Sequence, residues 1–272
     1  MRGAVGELPC GPMRLATWNV NSLNARMPRV EDWLARAKPD VLCMQETKLA
    51  NDAFPADTFA DLGYESAHHG QGRWNGVAIL SRVGLDDVHL DFADGEDPDQ
   101  DARIVWATCG GVRVASVYVP NGREVDHDHY HYKLGWLGRL RASLEATTDP
   151  SSPVVVTGDF NIAPEDRDVW DIKAFDGATH VTDRERDALD NVKDWGLVDV
   201  FRRCYPDDDG LYTYWDYTAG RFHKREGIRI DLILATEGLA ESVEYCIVDR
   251  NGRKGTKPSD HTPLVADFAV SA

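Results

Sequence analysis

The sequence predicts an α+β fold in which two packed β-sheets carry helices on their outer faces. Three observations lead there. Short apolar, β-rich runs recur from one end of the chain to the other. Helical patterns are few and interrupt that series instead of alternating with it, which disfavours a doubly wound parallel sheet. No Pro/Gly/Ser-rich linker and no internal repeat divides the chain, so one domain over residues 13–272 is expected, after a tail at 1–12, with Met13 a candidate start.

In chain order, the expected strands begin with RLATWNV (14–20), DVLCMQ (40–45), GVAILS (76–81), IVWATC (104–109) and VRVASVYV (112–119). They continue with PVVVTG (153–158), YTYW (212–215), IRIDLILA (228–235), VEYCIV (243–248) and LVADFAV (264–270). In VRVASVYV the period of two places Val112, Val114, Ser116 and Tyr118 on one face. A helix is expected over residues 26–38, where Val30, Trp33, Leu34 and Ala37 share a stripe and Pro28 lies near the start. Leu134, Leu137, Leu140 and Leu144 form a second helical stripe. Thr182-x-x-Glu185 reads as a capping box ahead of Ala188, Leu189, Val192 and Trp195, with Gly196 as the stop.

Composition narrows the function classes. Hydrophobic residues at 42% suffice for a substantial core. No apolar run approaches the roughly 18 residues of a membrane span, and the first residues lack the apolar stretch of a secretory signal. Five scattered cysteines with no CxxC exclude a zinc ribbon and disfavour a disulfide scaffold, so a soluble cytoplasmic protein is expected. The net charge of −16 argues at first sight against a nucleic-acid partner. Its distribution matters more. Residues 86–101 hold eight acids and no Lys or Arg, and 91–101 reads as a solvated loop, whereas 250–257 carries four positive residues and no acid. The run Asp126-His127-Asp128-His129-Tyr130-His131 looks metal-binding but reads better as a solvated loop leading into the Leu134 helix.

Polar residues gather where apolar strands end, the usual place for a site on a rigid scaffold. The strand ends supply Asn19 and Asn21, Glu46, Tyr118 and Asn121, Asp159 and Asn161, and Asp260 with His261; Asp231 sits inside an apolar run and needs a partner. Glu46, Asp159, Asp231 and Asp260 are hard oxygen donors suited to Mg²⁺ or Mn²⁺. Asn19, Asn21 and Asn161 offer hydrogen bonds to phosphate without adding charge. Asp260 beside His261 suggests an acid–imidazole pair that keeps the ring protonated. Carboxylates, a metal, amides and a histidine are what metal-assisted phosphoester hydrolysis requires.

The segments LATWNVNSLNAR, DVLCMQETKL, VYVPNG, VTGDFN, YTYWDY, GIRIDLILA and KPSDHTPL occur in the order and approximate spacing of the exonuclease III family. The chain resembles these apurinic/apyrimidinic endonucleases, within the endonuclease/exonuclease/phosphatase superfamily, from about Met13 to Phe268. The resemblance implies a four-layered α/β sandwich of two mixed sheets flanked by helices. It implies Glu46 as principal Mg²⁺ ligand, with Asn19 and Asp231 nearby and Asp159, Asn161 and Asp260 in the same metal set. It assigns Asp159 to the attacking water or the leaving oxygen, Asn161 and Tyr118 to orienting the scissile phosphate, and His261 with Asp260 to its developing charge.

Substrate selection is expected from Tyr214, Trp215 and Tyr217, placed where the family lines a small pocket for a base-less sugar. Asn21, Asn121, Arg103, Arg123, Arg229 and Lys257 are further expected substrate contacts, and Arg221, Lys224, Arg225 and Lys254 join them as backbone contacts. The implied activity is Mg²⁺-dependent incision of duplex DNA on the 5′ side of abasic sites by a monomer, with 3′→5′ exonuclease or 3′-phosphodiesterase activity, in base-excision repair near the nucleoid. The alternative keeps the chemistry and moves it to small or lipid phosphoesters.

Overall fold

The computed structural model describes residues 11–270. Among these residues, twelve strands form two six-stranded sheets. The first sheet contains β1 (Gly11–Asn19), β2 (Val41–Gln45), β3 (Glu65–His69), β4 (Val77–Ser81), β11 (Val243–Val248) and β12 (Leu264–Val270), in the order β11-β12-β1-β2-β4-β3. The second contains β5 (Asp86–Leu90), β6 (Ile104–Cys109), β7 (Val112–Tyr118), β8 (Val154–Asp159), β9 (Leu197–Asp199) and β10 (Asp231–Thr236), in the order β5-β6-β7-β8-β10-β9. Each is mixed, with β1–β2 and β7–β8 parallel among antiparallel neighbours.

Four layers result. Leu15, Val41, Cys43 and Ile79 of the first sheet meet Val105, Val112, Val114 and Ile233 of the second in the central core. The outer face of the first sheet carries α1 (Leu23–Ala37) and α2 (Ala56–Asp61), which bury Trp33, Leu34 and Phe59 against Trp18, Leu42 and Met44. The outer face of the second carries α3 (Asp128–Thr147) and α4 (Asp183–Lys193), which bury Trp136, Leu137, Leu140, Leu189 and Val192 against Trp106 and Val117. Each fully buried Leu, Ile or Val contributes about 1.5–3 kcal/mol by leaving water. In β7 the expected alternation sends Val112 and Val114 to the central core, while Ala115 and Val117 face the helices. Both faces are therefore covered. Ser116, on the inner face, accepts a hydrogen bond from Gln45 Nε2 across the sheets at 3.1 Å.

Several expectations shift. The tail ends earlier than residue 12, since Gly11 already pairs with Val270; residues 1–10 lie outside the described residues. The first helix begins at Leu23, so Pro28 sits in its second turn. YTYW forms no strand, and only Tyr214 bridges, to Ile228 and His261. The capping box is present as expected: Thr182 accepts from Glu185 N, and the Glu185 side chain accepts from Thr182 N. The acidic segment is not simply solvated. Asp91 is buried and accepts from the backbone of Phe92 and Asp99. Asp94 pairs with Arg139 at 2.6 Å, and Asp99 accepts from the Tyr132 hydroxyl, so the loop is strapped onto α3. The histidine run is helix rather than loop from Asp128 onward, with His127 as its N-cap.

Candidate active site

Strand register builds the site. Tyr118 pairs with Asp159 across β7–β8, and Asp231 pairs with Asp159 across β8–β10, so three functional residues stand in one row at the end of the second sheet. Gly158 makes the row possible. Its φ of 149° brings the backbone so close to β7 that a Cβ would lie 1.9 Å from the Val117 carbonyl oxygen. Facing this row, β1 and β2 of the first sheet end side by side at Asn19 and Gln45, which places Glu46 next. Glu46 and Asn161 both follow their strands in left-handed conformations, with φ of 53° and 51°.

Ligating atoms of Glu46, Asp159 and His261 lie within 4.8 Å of one another. Asn19 joins the two sheets, its amide donating to Glu46 Oε1 and Asp159 Oδ2, both at 2.8 Å. Lys48 pairs with Glu46 Oε2 at 2.9 Å and donates to Asn21 Oδ1, while Asn21 donates to Asp260 Oδ1 at 3.0 Å. His261 Nδ1 lies 2.7 Å from Asp231 Oδ2, and Nε2 lies 3.7 Å from Asp159 Oδ2. Behind them Asn161 donates to the Val119 carbonyl and accepts from Asn121, both at 3.0 Å.

Burial and charge decide the protonation states. Burial opposes a charged His261, but the Asp231 and Asp159 carboxylates raise it to about 10, so the ring is an imidazolium at neutral pH. Burial pushes Asp159 up, reinforced by Asp231 and Glu46 and opposed by His261 and Asn19, so it gives up its proton near neutrality. Burial also works against an ionised Glu46, yet Lys48 and Asn19 hold it below the ordinary carboxylate range. Burial and the nearby Glu46 and Asp159 keep the Tyr118 phenol protonated.

The donor set fits a hard divalent cation. Glu46 and Asp159 supply converging carboxylate oxygens, and the buried Oδ1 of Asp231 has no hydrogen-bond partner among the described residues. The protonated His261 is instead a donor toward an anion.

These groups open into a cavity of about 430 Å³. Glu46, Asp159, Asn161 and His261 form its polar wall, and Trp170, Phe175, Tyr214, Ile228 and Ile230 its apolar wall. A second groove beside it, sharing Asp216 and Arg221, is lined by Tyr217, Phe222, Arg253 and Lys254.

A family model described as endonuclease/exonuclease/phosphatase matches residues 16–261. The chain is 32% identical to an exodeoxyribonuclease III from Haemophilus influenzae over 94% of this chain and 100% of that protein. The chain belongs to the endonuclease/exonuclease/phosphatase family, on its exonuclease III branch. An AP endonuclease structure from Archaeoglobus fulgidus superposes with a TM-score of 0.91 at 40% identity, covering 95% of this chain and 100% of that one. A 3′ phosphatase from Neisseria, bound to a product DNA hairpin, does so at 0.90 and 39% identity, covering 94% and 99%.

Within this family fold, Glu46, Tyr118, Asn121, Asp159, Asn161, Tyr214, Asp260 and His261 line one cavity, and Asn19, Asn21 and Asp231 are hydrogen-bonded to Asp159, Asp260 and His261 behind it. The structure corrects four expectations. The carboxylate paired with His261 is Asp231, not Asp260, which bonds Asn21 and Ser259 instead. Trp215 is 2% exposed and packs edge-on against Phe222, so it belongs to the core rather than the sugar pocket. Tyr217 lines the neighbouring groove, where its hydroxyl donates to Pro258 O at 2.9 Å. Arg229 is fully buried between Asp168 and Asp199 and is out of reach of a ligand.

Arg103 is nearly buried. It stacks 4.7 Å from the Tyr118 ring and pairs with Asp101, so it braces Tyr118. Arg123 and Lys257 are exposed. The sequence reasoning missed Lys48, although it lies in the quoted QETK segment. It also missed Ile228 and Ile230, which flank the Arg229 it named, and Trp170, Phe175 and His180, which sit in an irregular segment with no periodic signal.

Proposed function

We propose that this chain hydrolyses DNA phosphodiesters with Mg²⁺, or Mn²⁺ in its place, incising duplexes on the 5′ side of abasic sites and acting on 3′ ends. The observation that carries this is the single cavity with a charged wall (Glu46, Asp159, His261) and an apolar wall (Tyr214, Ile228, Ile230). Solved relatives named as an AP endonuclease and as a 3′ phosphatase bound to product DNA support the substrate class. The proposed setting is cytoplasmic base-excision repair, close to the nucleoid, by a monomer. Among the described residues no helix is long and apolar enough to cross a membrane.

The residues divide the work by charge state. Glu46, with Asp159 and the nearby Asn19 and Asp231, would hold the cation, which supplies Lewis-acid stabilisation of negative charge on phosphate. His261, kept protonated by Asp231, donates from Nε2 to a phosphate oxygen as charge develops. Asp159 has the protonation behaviour of a group that exchanges a proton with the attacking water or the leaving oxygen near pH 7. Asn161 and the Tyr118 hydroxyl orient the phosphate, and the apolar wall takes a sugar that lacks its base.

The test uses a labelled duplex with one abasic-site analogue and an intact duplex with a recessed 3′ end, each with Mg²⁺ or with chelator. Mg²⁺-dependent nicking at the abasic site, lowered by orders of magnitude in Glu46→Ala with little change in melting temperature, is expected. Near-normal turnover in that variant sinks the metal assignment. Cleavage of neither DNA by folded protein moves the activity to small or lipid phosphoesters.

A further inference from the structure

Behind the catalytic row lies a buried cation that the chemistry above does not use. The side chains of Lys133, from α3, and Glu185, from α4, are both fully buried and form an ion pair. The ammonium has two further acceptors, the main-chain carbonyls of Asn161 at 2.6 Å and Asn121 at 3.5 Å. Glu185 is equally engaged. Oε1 accepts from Thr179 Oγ1 at 2.6 Å and His180 N at 3.0 Å, and Oε2 accepts from Thr182 N and Oγ1. The loop carrying Asn121 closes over the Lys133 stem at Gly122. There φ is 88°, and a Cβ would lie 2.7 Å from Thr179 Oγ1 and 3.4 Å from Lys133 Cδ.

A buried ion pair of this kind is a poor device for stability, because desolvation offsets most of its attraction. Its geometry serves another purpose. Asn161 sits in a left-handed conformation two residues past Asp159, with its backbone N–H on Asp159 Oδ1 at 2.9 Å. Asn121 donates to the Asn161 side chain. One ammonium thus reaches the carbonyls of both asparagines, joining His180 Nδ1 on Asn161 O and Thr179 Oγ1 on Asn121 O, and one carboxylate holds Thr179 and, in the cavity wall, His180.

We infer that Lys133, neutralised by Glu185, is a positioning residue: it fixes the Asn121 and Asn161 loops so that the Asn161 amide meets the scissile phosphate in register. The inference rests on the phosphodiesterase reading of the site and adds to it a residue that touches no substrate.

The test compares wild type, Asn161→Ala, the double variant Lys133→Met/Glu185→Gln and, as a rescue, Lys133→Gln/Glu185→Gln on the abasic duplex. The double variant removes both charges, so no ion is left unpaired in the interior. It is expected to keep a melting temperature near wild type and a KM within about threefold, with kcat lowered by about 10- to 100-fold, the usual consequence of misplacing a group by about 1 Å. Lys133→Gln/Glu185→Gln is also free of charge but keeps a neutral donor near the Asn161 carbonyl, so it should recover part of that kcat, and it serves if the double variant does not fold. The side-chain amide resonances of Asn121 and Asn161 should move in the double variant while that of exposed Asn51 stays. A folded double variant with wild-type kcat, beside an impaired Asn161→Ala, overturns the inference. So does a Lys133→Gln/Glu185→Gln protein no better than the double variant, or with wild-type amide shifts and low kcat. Full activity in Asn161→Ala would refute the site assignment itself, separately from Lys133.

Discussion

Replacing Arg229 by Met separates the two roles that residue could have, as a DNA contact or as an internal charge. Its guanidinium is completely buried and donates to Asp168 Oδ1 at 2.6 Å, Asp168 Oδ2 at 3.0 Å and Asp199 Oδ2 at 2.8 Å. Burial alone would disfavour the charge, but the Asp199 and Asp168 carboxylates hold it above the ordinary arginine range. Methionine fills similar volume and leaves two carboxylates inside the protein, with Asp168 retaining only Arg202 as a charged partner. Removing one member of a buried pair costs about 3–5 kcal/mol. With an unfolding entropy of about 2.1 cal/mol/K per residue, a chain of 272 residues should melt about 5–9 °C lower. Calorimetry at pH 7 measures the fall, and DNA affinity well below the melting temperature should match wild type. A second substitution, Asp168→Asn, should recover part of the loss because it removes one stranded charge. An unchanged melting temperature together with weaker DNA binding would refute the buried assignment.

Three further outcomes follow from the same geometry. Asp231→Asn should bring the His261 pKa well down from about 10 and lower turnover by about 100-fold, whereas Asp260→Asn should do much less; imidazole ¹⁵N shifts and kcat read the two effects. Glu185 is held down to about 2 because Lys133 and its hydrogen-bond donors outweigh burial. A depressed carboxylate stabilises the fold above its unfolded value of about 4.3, and the contribution is lost as pH falls toward 2. Glu185→Gln should therefore flatten the fall of the urea midpoint between pH 5 and 2. Finally, DNA affinity should fall steeply with salt, and Lys254→Ala or Arg221→Ala should each reduce the slope by about one.

How far the sequence carries the fold depends on what each element buries. β2, β4, β8 and β10 bury every residue and stand out as apolar runs. All of β5 is exposed, β3 is only partly buried and β9 has three residues, so none of them leaves an apolar run in the sequence. The same limit explains the site. Glu46, Tyr118, Asp159 and Asn161 were visible because each ends an apolar strand. Adjacency in the sequence does not pair Asp260 with His261, because the chain bends at Asp260. Asp260 turns to Asn21, and the carboxylate that reaches the ring comes from β10, 30 positions away. Arg229 misled for a related reason: its acceptors, Asp168 and Asp199, lie 61 and 30 positions away and nothing local announces them. The Thr182–Glu185 capping box marks a helix start that local sequence encodes. Its carboxylate does a second job toward α3 that no local pattern encodes.

The charge distribution resolves the tension between a net charge of −16 and a polyanionic substrate. In the acidic loop before β6, Asp94 is matched by Arg139 and Asp101 by Arg103, on the α3 side of the molecule. Around the second groove Arg221 pairs with Glu226 at 3.4 Å, whereas the other arginines find carbonyls. Arg29 donates to Gly252 O, Lys254 O and Thr256 O, Arg26 to Pro258 O, Arg250 to Phe222 O and Arg253 to Trp215 O. A carbonyl fixes a guanidinium without cancelling its charge. Burial and neighbouring positive groups accordingly lower Arg29, with Arg26 the foremost of those neighbours. These residues repel one another and are held in place by main-chain acceptors, which suits a surface awaiting phosphates. The groove shares Arg221 and Asp216 with the catalytic cavity, so a strand lying along it would lead its backbone toward Glu46 and His261. Net charge describes the whole surface, not this groove.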